Sequence, residues 1–73
     1  MSHSHEFLEE REAALGLRVS IRFHEPDGSY RDLLGHLRAL NEVEKRDGTR
    51  VVFDPALIAY FKVVPESPFS TNV

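Results

Sequence analysis

The chain has 73 residues and a mass of 8.4 kDa, with 41% hydrophobic, 29% charged and 10% aromatic residues. That composition describes one globular domain, too apolar for a disordered tail and too small for a second lobe with a deep cleft. The formal charge is −3, cysteine is absent, and the apolar stretch from Ala56 stops at Lys62. These facts exclude a disulfide framework, a thiolate nucleophile and a membrane-crossing helix of ~20 residues.

Residues 1–5 are polar and read as a flexible arm. Ser4 is a candidate N-cap, and Glu6 follows it in the first turn, where negative charge suits the helix dipole. Phe7, Leu8, Ala14 and Leu15 recur at helical spacing with Arg11 between them, and Gly16 supplies a stop. Residues 6–15 are therefore expected to form a short amphipathic helix. Ten residues are too few to hold a helix alone, so it must dock.

From Leu17 the period changes to two. Leu17, Val19, Ile21 and Phe23 alternate with Arg18, Ser20, Arg22 and His24, the pattern of a half-buried strand. Pro26-Asp27-Gly28 is a turn. A second strand is expected over Tyr30–Leu40, with Leu33, Gly35, Leu37 and Ala39 on its inner side. Gly35 within it marks a sharp bend or a close backbone contact. Strands at Val43–Arg46 and Thr49–Phe53 flank Asp47-Gly48, a strong hairpin signal. Pro55-Ala56-Leu57 suits one helical turn, and Ile58–Val64 is the fifth strand. Residues 66–73 form an irregular tail. The pattern predicts a mainly β fold: a five-stranded antiparallel SH3-like or Sm-like small barrel over residues 16–65, with a short N-terminal α-helix.

Five stretches in order carry a family resemblance: Gly16–Arg22, Asp27-Gly28, Asp32–Leu37, Asp47–Val52 and Ile58–Pro65. This series resembles the SH3-like barrel at the N-terminus of bacterial GNAT-type N-acetyltransferases. The 73 residues hold no coenzyme-A-binding loop. The resemblance thus implies an accessory or protein-interaction module in the cytoplasm, with no catalysis and no cofactor of its own. Its implied partner is an acetyltransferase domain, with self-association the other protein option. The helix-then-five-strands order is also similar to Sm-like RNA-binding barrels, which assemble into rings. That likeness gives the alternative reading, an oligomeric nucleic-acid-binding barrel.

The chemistry-bearing residues form no catalytic constellation. His3 and His5 could hold Cu(II) or Ni(II) near a free amino terminus, but removal of Met1 would shift the spacing. His24 and His36 fall on outward positions of neighbouring strands and lack a third ligand. Asp27 with Asp32, and Glu42 with Glu44, read as solvated carboxylates and not as acid–base pairs. Nucleic-acid contacts would come from Arg22, Arg31 and Arg50, beside Tyr30 and Tyr60 as stacking platforms. Against that alternative, the acidic excess lies within residues 1–15, and the remaining chain carries eight charges of each sign. Binding phosphates needs a basic surplus. The candidate partner surface is apolar: Phe7 and Leu8 on the helix, Leu34 on the second strand, Val52 on the fourth, and Ile58 and Tyr60 on the fifth. Strand alternation places Ile58, Tyr60 and Val64 beside Lys62 on the outer face.

Overall fold

The structure is a computed structural model, described here for residues 6–65. The expected arm at 1–5, the tail at 66–73, the Ser4 cap and the His3/His5 pair lie outside these residues. The elements in chain order are helix α1 (Leu8–Ala13), strands β1 (Arg18–His24), β2 (Tyr30–Ala39), β3 (Glu42–Glu44) and β4 (Arg50–Val52), a 3-10 turn (Pro55–Leu57) and β5 (Ile58–Val63). All pairings are antiparallel and the sheet order is β4-β3-β2-β1-β5.

The alternation read in β1 and β2 places one apolar set on one face. Val19, Ile21, Phe23, Leu33, Leu37 and Val43 are buried there, joined by Phe53, Ile58 and Phe61. Phe23 and Phe53 meet at 5.3 Å between ring centroids, a tilted contact of the favoured kind. Gly35 allows β2 to bend against β3. A Cβ at that position would lie 2.5 Å from the Glu44 carbonyl oxygen and 2.6 Å from a Val43 methyl.

The helix is shorter than expected. Phe7 sits in the left-handed conformation at φ 55° and starts α1 without a side-chain cap. Its ring packs against Phe61 at 6.3 Å. Arg11 and Ala14 follow at i+4 and i+7, so all three lie on one helical face. Arg11 is 2% exposed. Its Nε donates to the Glu6 carbonyl at 3.0 Å, and its Nη1 donates to the Leu40 carbonyl at 2.8 Å. One cation thereby ties the helix to the β2–β3 link. Burial pulls the Arg11 pKa below its ordinary value, opposed by the nearby Glu12 charge.

Two expectations on side-chain placement are corrected. Leu17 is 47% exposed, because the chain turns at Gly16 (φ 84°) and Leu17 lies just before the start of β1. Ile58 is buried and not on the outer face. On the β1–β5 ladder Arg22 pairs with Tyr60 but Phe23 pairs with Ile58, so Ala59 is an extra residue. Such a bulge turns the preceding side chain to the other face. The mainly β, five-stranded antiparallel fold is as expected; β4 and β5 are the two edges of the sheet, with no ladder between them among the described residues. β4 is only three residues long and is followed, after Phe53, by Asp54-Pro55, which starts the 3-10 turn.

Candidate interaction site

The outer face of the sheet carries side chains in cross-strand rows set by the register. At the β1–β2 hairpin end, His24 faces Tyr30, and their rings meet at 5.4 Å. In the next row, Arg22 stands between Asp32 on β2 and Tyr60 on β5. Its Nε donates to Asp32 Oδ1 at 2.9 Å and its Nη2 to Asp32 Oδ2 at 3.2 Å. This two-point pairing fixes the guanidinium plane. The same guanidinium lies 5.7 Å from the Tyr30 ring centroid, within cation–π range. Leu34, opposite Ser20, continues the patch along β2. Tyr30, Tyr60 and Leu34 are 56%, 57% and 46% exposed. The result is a patch of two tyrosines and a leucine around an arginine held by a carboxylate.

The hydrogen bond from Arg22 holds the Asp32 carboxyl below the usual carboxylate range, and Asp32 in turn raises the Arg22 pKa. Farther along the face, Arg38 Nε donates to Glu44 Oε1 at 2.9 Å and lowers the Glu44 pKa. Arg50 stands 3.7 Å from both Glu42 and Glu44.

The candidate partner residues are thus divided. Leu34 and Tyr60 share the outer patch. Val52 is exposed on β4, opposite Glu42 and apart from them. Phe7 and Leu8 are half-buried on the helix, and Phe7 packs against the core, so it covers its own domain. Ile58 belongs to the core. The three candidate arginines do not converge. Arg22 and Arg50 lie on the outer face but three strands apart, about 14 Å at ordinary strand spacing. Arg31 pairs across from buried Phe23 on the opposite face. Its Nε donates to Glu25 Oε2 at 2.8 Å, and its guanidinium lies 5.1 Å from the Phe23 ring.

The histidines are separated as well. His24 faces Tyr30 at one end of β1, whereas His36 lies between Arg18 and Glu44 at the other. No group of three or more metal-ligating side chains occurs among the described residues. The carboxylates weighed as acid–base pairs serve local structure. Asp27 accepts from the Ser29 hydroxyl and N–H, Asp32 from Arg22, and Glu42 and Glu44 face arginines. A shallow depression at the hairpin is lined by Glu25, Pro26, Asp27, Ser29, Tyr30 and Arg31. Sequence reading missed the Arg22–Asp32 pairing and the burial of Arg11. The first had a signal, since two outward residues flanking the Pro26–Gly28 turn at matched positions must face each other.

Fold and site together define a small, mainly β domain with one open five-stranded antiparallel sheet, one covering helix and one aromatic outer face. No family model, curated protein or solved structure matches the chain.

Proposed function

We propose that this chain is a non-catalytic protein-interaction module that docks a partner on the outer sheet face through Tyr30, Arg22, Leu34 and Tyr60. The observation that carries this reading is the patch itself. Tyrosine and arginine are the residues that dominate protein interfaces, because they bring large rigid contact areas with a polar tip. Here Asp32 already pairs with the arginine and fixes it, so a partner meets a preorganised aromatic surface with the Lys62 ammonium at its β5 side.

The resemblance to the N-terminal SH3-like domain of bacterial GNAT-type acetyltransferases fits this role. An accessory barrel serving an acetyltransferase domain in the cytoplasm is the form of the proposal. The alternative of a nucleic-acid surface draws less support. Arg22, Arg31 and Arg50 each face a carboxylate and lie on different parts of the molecule. A phosphate would have to displace those acids.

Nitrogen-15 NMR titration with mixed-sequence single-stranded RNA at low salt tests the choice. The Arg22, Tyr30 and Tyr60 amides are expected to stay unmoved. Saturable shifts that weaken steeply with salt and vanish in Arg22→Ala would overturn the docking reading.

A further inference from the structure

The β5 edge has a pairing preference of its own. The Val64 N–H donates to the Arg18 carbonyl at 2.9 Å, and Val19 pairs with Val63. In an antiparallel ladder, bonded and non-bonded pairs alternate. Lys62 and Tyr60 therefore turn their backbone groups toward β1, and Phe61 and Val63 turn theirs outward. These outward groups have no strand partner among the described residues. An unpaired edge of this kind is a template for another strand.

From this edge we infer that the chain forms a weak two-fold dimer, in which β5 pairs antiparallel with β5 of a second copy about Phe61. In this register Phe61 exchanges backbone hydrogen bonds with its own copy. Val63, 44% exposed, lies opposite Ala59. Tyr60 lies opposite Lys62 of the second copy, an aromatic facing an ammonium group. Lys62 has no carboxylate partner among the described residues. The neighbouring registers are worse. A shift one way sets Lys62 against Lys62, a direct like-charge clash. A shift the other way sets Lys62 against Ile58, which the bulge has turned to the opposite face.

The other edge does not fit β5. The Lys45 N–H donates to the Thr49 carbonyl, and the Phe53 N–H donates to the Asn41 carbonyl. By the same alternation, Val51 bonds β3, and Arg50 and Val52 turn their backbone groups outward. Their side chains lie on the outer face, whereas Phe61 and Val63 lie on the inner one. Pairing β5 with β4 of another copy would set Phe61 beside an outer-face position of β4. Pairing β5 with β5 keeps both cores on the same side of one ten-stranded sheet. A single edge of six residues buries less than the ~1,200 Å² of a stable interface, so the dimer is concentration-dependent.

The test uses the full 73-residue chain from about 10 μM to 1 mM, a range that spans weak association. Sedimentation is expected to move from 8.4 kDa toward twice that mass. Over the same range the Phe61 and Val63 amides should gain hydrogen-exchange protection, while the Tyr60, Lys62 and Val64 amides are protected throughout. Val63→Pro removes an outward N–H and spares the β1 ladder. It should weaken the dimer ~tenfold or more, whereas Val52→Pro and Tyr30→Ala should not. A monomer at the top concentration overturns the inference. So does a dimer in which Phe61 and Val63 exchange freely, or one abolished by Val52→Pro. Tyr30→Ala keeps the two claims apart, because it damages the proposed outer-face site and leaves this edge intact.

Discussion

Arg11 is the residue on which the helix depends most. A guanidinium buried against two backbone carbonyls leaves those carbonyls without a charged donor if it is removed. Hydrogen bonds to charged groups contribute about 1.5–3 kcal/mol each. Arg11→Met keeps an apolar stem and loses the donors, so it should destabilise the fold by about 2–3 kcal/mol in urea unfolding. A change below about 0.5 kcal/mol would mean that the guanidinium contributes nothing net. A second residue-scale prediction concerns acid. Asp27, Asp32, Glu44 and Asp47 all have pKa values lowered by hydrogen bonds, from Ser29, Arg22, Arg38 and Thr49 respectively. A lowered native pKa favours the folded state at pH above the unfolded value. Their contribution is complete above the ordinary values of 3.8 for aspartate and 4.5 for glutamate. It is lost as the pH falls through the depressed native values. Thermal melts should show stability falling on that acid side, with a shallower fall in Asp32→Asn. An unchanged acid limb in that variant would remove Asp32 from the account.

At the scale of elements, the period-two runs of β1 and β2 made the inner face readable. The register could be anticipated from the Pro26–Gly28 turn. Gly35 was read as a bend or close contact, and its geometry bears that out. Gly35→Ala must push back the Glu44 backbone, a shift that should cost about 1–3 kcal/mol and be visible as a lowered melting temperature. Full wild-type stability would show that β3 yields freely. Other features were hidden for physical reasons. The bulge at Ala59 leaves no mark among its apolar neighbours, so strict alternation counted back from Lys62 places Ile58 on the wrong face. The burial of Arg11 is not legible in the sequence, although it stands between the apolar residues of the helix, because a charged residue carries no hydropathy signal for the core. Its long stem and backbone-directed donors make burial possible. The helix start was hidden because it rests on a left-handed phenylalanine and not on a capping side chain. Phe7→Ala removes the ring that packs on Phe61, and should loosen α1 before the sheet. Amide exchange in Leu8–Ala13 would report that order of events.

Across the whole molecule, an open sheet divides the work between two faces and two edges. The inner face is closed by Phe7, Arg11 and Ala14 of the helix. The outer face keeps Tyr30, Leu34 and Tyr60 exposed around the Arg22–Asp32 pair. The carboxylates facing Arg22, Arg38 and Arg50 limit the attraction of this face for phosphates and favour a partner recognised by shape and aromatic contact. The most direct measurement is site-specific photo-crosslinking in the native host. A photoreactive phenylalanine analogue is placed at Leu34 in the outer patch or at Arg46 in the β3–β4 turn. The account predicts a discrete adduct with a protein other than this chain at Leu34, weakened by Tyr60→Ala and absent at Arg46. Equal adducts at both positions, no protein adduct at Leu34, or an adduct with nucleic acid there would contradict it.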